Sequence, residues 1–238
     1  MHRRSRHLPS SRRPARAAVA LGLAAATMLP AAAHAQSSAA SNFPLEVFRD
    51  QIRPVADNPP AQGFATLVRQ GDSVRILLVA FGLSPDLPHV MHIHGREQAA
   101  NECPTAAADV NHDGLVDTVE GLPAYGPIQT TFTTSGGTSG AFGPDSLDLG
   151  RAPMANRAGV VVYQRTLPVR DAVGPGEVGI PRSIADHLSD FHIVMHGADL
   201  NHNGSYDFGP GTSSLSAIVG APVPLEAELP VGCGRIEG

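Results

Sequence analysis

Residues 73–94 read SVRILLVAFGLSPDLPHVMHIH, and the reading of this stretch decides the fold. Ser73–Leu83 and His89–His94 are short apolar runs rich in β-formers, and between them Ser84, Pro85, Asp86 and Pro88 supply turn and breaker chemistry. That pattern predicts two short strands joined by a Pro-containing loop. Outward from it, Gly63–Gln70, Ile128–Thr134, Gly159–Val169, Phe191–His196 and Val223–Leu229 suit strands in the same way. Four threonines around Phe132, and Val160-Val161-Val162-Tyr163, are the β-branched and aromatic residues that pleated surfaces favour. With 25 Gly and 21 Pro the chain is punctuated too often for long helices, and Ile184–Leu188 is expected to make a helical turn at most. The expectation is one all-β sandwich or barrel.

The chain has 238 residues and a formal net charge of −5, which conceals a split. The first 35 residues hold six Arg and no acid, whereas residues 36–238 hold 11 Arg against 22 Asp plus Glu and no Lys, a charge of −11. An acidic, Lys-free body excludes a nucleic-acid binder held by phosphate contacts and argues against adhesion to anionic lipid. Residues 1–35 read as a cleaved signal peptide: a basic stretch from Arg3 to Arg16, an apolar run Ala17–Met28, and Ala33-His34-Ala35 as the cleavage site. Residues 36–42 read as a linker and 43–238 as the folded domain. The Ala17–Met28 run of 12 is too short to span a bilayer, and no later apolar run is long enough either. The expected destination is the periplasm or the medium, where Cys103 and Cys233, an even pair, are expected to form a disulfide.

Eight histidines lie beyond the leader, three of them in His89-Val90-Met91-His92-Ile93-His94. On a strand His92 and His94 project from one face, so two neutral imidazoles can reach one copper or zinc ion. His89 is offset from His92 by three and suits a role orienting the site rather than binding the ion. In Phe191-His192-Ile193-Val194-Met195-His196, the two His share a face roughly 13 Å apart, so only one of them can complete the same site.

Gly82-Leu83-Ser84-Pro85 followed by His89-x-x-His92-x-His94 resembles the copper-site hairpin of copper–zinc superoxide dismutases. Val194-Met195-His196-Gly197-Ala198-Asp199-Leu200 is similar to that family's Val-Val-His segment, and Cys233-Gly234-Arg235-Ile236 to its terminal Cys-Gly-x-Ile. The resemblance implies a Greek-key barrel and copper held by His92, His94 and His196. It also implies dismutation of superoxide and a disulfide from Cys233 to the loop position of Cys103. It implies a bridging His as well, for which His112 is the one candidate, since no other His lies between Cys103 and His187. The family's zinc histidines and its anion-guiding Arg have no counterparts, Arg235 being a weak substitute, so zinc is not expected. Two readings stay open: a copper-only relative, or a non-catalytic extracellular module like the chordin-type (CHRD) domain, which also has a His-x-His strand.

Where the zinc loop would lie, Asp109, Asn111, Asp113, Gly114, Asp117 and Glu120 occupy positions 1, 3, 5, 6, 9 and 12 of a calcium loop, here without paired helices. Asp199, Asn201, Asn203 and Asp207 repeat the start of that pattern over 199–210, but Pro210 stands at position 12. His112 fills the variable fourth position of the first loop, which points outward, so it reads either as an exposed His or as the bridging ligand. No nucleophile elbow, P-loop or dinucleotide fingerprint is present.

Overall fold

A computed structural model describes residues 43–96, 99–209 and 214–238. The expected leader and linker, residues 1–42, and Pro210 lie outside the described residues.

Nine strands form one sheet: β1 Leu45–Pro54, β2 Gln62–Gln70, β3 Ser73–Phe81, β4 Met91–His94, β5 Ile128–Thr131, β6 Val161–Arg170, β7 Ile180–Pro181, β8 His192–His196 and β9 Pro230–Glu237. Their order across the sheet is β5-β4-β8-β9-β1-β2-β3-β6-β7. All pairings are antiparallel except β6 with β7. The β2–β3 turn needs two residues, with Gly71 at φ +54° supplying the positive angle that such hairpins require. The sheet curls until its ends nearly meet. At that seam Thr138, beyond β5, donates its N–H to Glu177 O at 2.8 Å and its hydroxyl to Gly179 O, and Gly179 N–H donates back to Thr138 Oγ1 at 2.8 Å. The fold is therefore mostly β and barrel-like, as the sequence predicts.

Period-two alternation explains the interior. Ala65, Leu78 and Tyr163 are opposite one another on β2, β3 and β6 and all point inward, while Phe64 and Val162 face out. On β4 and β8 every residue is buried. Met91, Ile93, Ile193 and Met195 face the barrel core; the alternate residues His92, His94, His192 and His196 face outward and are covered by the long connections. The apolar-His alternation is thus a strand with a hydrophobic side and a ligand side.

Three elements depart from the expectations. Val223–Leu229 is not a strand: Pro224 opens a helical turn, α4 Leu225–Glu228, because proline favours a helix start and forbids a ladder donor. Strand β9 was not anticipated, since Gly232 and Gly234 read as loop residues. Both are needed there, because a Cβ at Gly232 would strike Met195 and one at Gly234 would strike Asp50. Strand β1 was likewise hidden by its charges. The other helices are short: α1 Thr118–Tyr125, α2 Arg182–Ala185 and α3 Ser214–Val219. The disulfide Cys103–Cys233 is present, with Cα atoms 5.7 Å apart, and ties the loop after β4 to β9. Among the described residues no helix is long and apolar enough to cross a membrane.

Candidate metal centre

Strand register brings the ligand set together. His92 on β4 is opposite Val194 on β8, and His196 lies two residues further along the same face. His94 sits at a register shift between β4 and β5, and His196 at one between β8 and β9. Such irregularities re-aim side chains out of a regular strand. The result is a cluster in which one nitrogen from each of His92, His94 and His196 lies within 4.8 Å of the others. Ring centroids are 5.4, 5.2 and 5.7 Å apart. His192, opposite His94, is left out of the cluster. Of the two histidines on β8 it is therefore His196 that joins the site.

Each of the three rings has one nitrogen engaged by a backbone carbonyl. His92 Nε2 lies 3.0 Å from Ser146 O, His94 Nδ1 2.8 Å from Gly126 O, and His196 Nδ1 2.7 Å from Glu228 O. A carbonyl can only accept, so each of these nitrogens carries the proton in the neutral ring. The opposite nitrogens, His92 Nδ1, His94 Nε2 and His196 Nε2, are buried and have no hydrogen-bond partner. Burial above all, with mutual repulsion between neighbouring imidazoles, holds His92 well below the ordinary imidazole range and His94 at about 3. Burial likewise holds His196 at about 4, against the opposing pull of the Glu228 carbonyl. The rings are neutral at physiological pH, with three lone pairs facing one another. That is the donor chemistry of a three-imidazole metal site, so the residues present fit a copper-type ion.

The surroundings hold these rings in place. His89 is fully buried, with Nδ1 3.0 Å from His196 O and Nε2 3.0 Å from Ser84 O. It braces the backbone of a cluster residue and stands outside the cluster, as its odd offset implies. Tyr125, in α1, packs against His94 at 4.6 Å and donates its hydroxyl to Thr118 O. The Thr118 hydroxyl donates to Glu228 O at 2.6 Å, the same carbonyl that His196 uses. His112 is exposed, at φ +60°, and does not join the cluster. The left-handed turn of its loop presents it to solvent, which agrees with the exposed reading of the two and not with the bridging one.

The two acidic loops share one hydrogen-bond pattern. In the first, Asp109 accepts from Asp113 N–H (3.2 Å) and Gly114 N–H (3.0 Å), and Asn111 accepts from Asp113 N–H (2.8 Å). In the second, Asp199 accepts from Asn203 N–H (3.1 Å) and Gly204 N–H (2.8 Å), and Asn201 accepts from Asn203 N–H (3.0 Å). Glu120 closes the first loop, accepting from Val110 N–H (3.2 Å) and Asp117 N–H (3.0 Å). In the second loop Asp207 accepts from the side-chain amides of Asn201 and Asn203. Its closing residue is Glu226 of α4, which accepts from Leu200 N–H (3.1 Å) and Asp207 N–H (2.9 Å), the positions equivalent to Val110 and Asp117. Sequence reasoning missed Glu226 because it lies far outside the twelve-residue window. The carboxylates of neither loop converge as closely as the three imidazoles, since their oxygens are turned toward the loops' own N–H groups.

A cavity of about 520 Å³ opens onto the cluster, with His92 and His196 in its wall. Among the described residues its lining contains the acids Asp148 and Glu228 and no Arg. No protein-family model matches the chain, and no curated protein matches it significantly.

Proposed function

We propose that this chain is an exported metal-binding protein in which His92, His94 and His196 hold one copper ion on a Greek-key barrel of the copper–zinc superoxide dismutase type. The observation that carries the reading is the set of three buried, partnerless ring nitrogens facing one another, each ring fixed by a backbone carbonyl on its other side. A desolvated polar atom left unpaired costs about 1–3 kcal/mol. Three in contact make little sense as apolar packing and good sense as a ligand set. A copper ion so held would supply one-electron redox chemistry, which in the family that the motifs resemble dismutates superoxide. The protein's own part is to keep the imidazoles neutral by burial, to fix their protonated nitrogens on Ser146, Gly126 and Glu228, and to brace His196 through His89 and Thr118. A second, zinc-type ion is not part of the reading, because no bridging His reaches the cluster.

Copper loading followed by metal analysis is expected to give one copper per chain. His92→Ala, His94→Ala and His196→Ala should each abolish tight binding; full stoichiometry in all three variants would refute the reading. A superoxide assay on the copper-loaded protein tests the activity. With no Arg among the described residues of the cavity wall and a body of charge −11, the anion lacks the steering that raises on-rates by about 10- to 1000-fold, so turnover should be slow.

The acidic loops are read as two calcium sites that brace this centre, supported by Glu226 taking the place in the second loop that Glu120 takes in the first. Calorimetric titration should find two calcium sites in the wild type and one in each of Glu120→Gln and Glu226→Gln.

A further inference from the structure

The cavity over the histidine cluster is large for the substrate that the resemblance implies. A water molecule occupies about 30 Å³ of liquid, and a diatomic anion is of similar size. About 520 Å³ lies instead within the range of small-molecule binding sites. The wall is apolar on most sides: Val90 precedes β4, Ile128 opens β5, Phe142 and Leu147 come from the connection after β5, and Leu215 and Val219 from α3. Its charged groups, Asp148 and Glu228, are both acids. The guanidinium of Arg151 is bound to Asp148 (2.7 Å) and Asp145 (3.0 Å), and Arg151 is not among the wall residues. His92 and His196, each with one buried and partnerless ring nitrogen, belong to the same wall.

We propose that this cavity receives a neutral, largely apolar organic molecule that offers one lone-pair donor to the metal held by the histidines. The inference rests on the metal-binding reading and adds the class of ligand. Among the described wall residues none offers an anion a positive charge, and a polar molecule would lose its hydration against aliphatic walls without hydrogen bonds in return. An aromatic or aliphatic body fills the volume and gains from burial, while one donor atom reaches the centre.

The probes are 4-phenylimidazole, imidazole and azide, tested on the purified protein. In the copper-loaded form, followed by the copper EPR signal, 4-phenylimidazole should bind at least about tenfold tighter than imidazole, since burying a ring of that size is worth this much or more. Azide should bind more weakly than either. In the metal-free form, saturation-transfer NMR should detect 4-phenylimidazole but not imidazole at equal concentration. Val219→Asp and Leu147→Asp, at half-buried wall positions, should remove the preference for the phenyl group and leave copper stoichiometry intact. Ile218→Asp, on the exposed side of the same helix, should change neither. Equal affinities for imidazole and 4-phenylimidazole, or azide as the tightest ligand, would overturn the proposal. A protein that takes up no copper yet keeps the phenyl preference in the metal-free form would refute the metal reading and support the apolar cavity.

Discussion

Asp50 lies on β1 inside the barrel, across from Ala65 and Ile236, with 3% of its surface exposed. Neither carboxylate oxygen makes a hydrogen bond of ordinary geometry, and the approach of the Ile193 amide offsets only part of the burial cost, so the group is pushed up to about 7. A carboxyl whose folded value is raised holds its proton where the unfolded chain, titrating near 3.8, has lost it. Stability from this group therefore falls as pH rises from about 4 to about 7, by on the order of 4 kcal/mol in all. The depressed histidines act in the opposite sense: their contribution is present above about 6.5 and is lost as pH falls toward 4. Comparing wild type with Asp50→Asn cancels the histidine contribution. Denaturation at pH 8 should find the variant more stable by about 1–3 kcal/mol, since the amide keeps an unpaired group but no charge. At pH 4.5 the difference should have moved by about 3 kcal/mol in favour of the wild type; a difference that does not change with pH would contradict this account.

Helix α1 joins the first acidic loop to the histidine cluster. It begins with a capping box, Asp117 accepting from Glu120 N–H at 2.9 Å while Glu120 accepts from Asp117 N–H. Its first residue, Thr118, shares the Glu228 carbonyl with His196, and Gly126, just past its end, holds His94. Asp117→Ala removes the cap at a cost of about 1 kcal/mol and should weaken copper binding several-fold without changing its stoichiometry. Removing calcium with a mild chelator should do the same; unchanged copper affinity after both would break the link. The same element marks the limit of what the sequence reveals. That β4 and β8 would be strands, and that His92 and His94 would share a face, follows from spacing alone. Spacing left His192 and His196 open and only the resemblance implies His196; the physical reason, the register between β4 and β8, lies in the fold. The carbonyls of Ser146, Gly126 and Glu228 were invisible, because every residue carries a carbonyl and only the folded path aims one. Strand β1 was hidden by Glu46, Arg49, Asp50 and Arg53, and β9 by the small residues that close packing demands.

Across the whole molecule, the disulfide closes a loop of 130 residues in sequence. In the chain-entropy view such a crosslink contributes about 4–5 kcal/mol by restricting the unfolded chain. The double variant Cys103→Ala with Cys233→Ala should lose stability of that order in denaturant. Because Cys103 lies between β4 and α1, it should also loosen copper binding. The seam that Thr138 closes has a consequence of a different kind. A sheet with two open edges offers rows of unpaired amides on which another chain can add a strand. Here one end of the sheet is the two-residue β7, and the threonine hydroxyl, donor and acceptor at once, stitches the segment before it to the segment after β5. Among the described residues the seam therefore leaves little free edge on which another chain could add a strand, and one oxygen atom carries part of that protection.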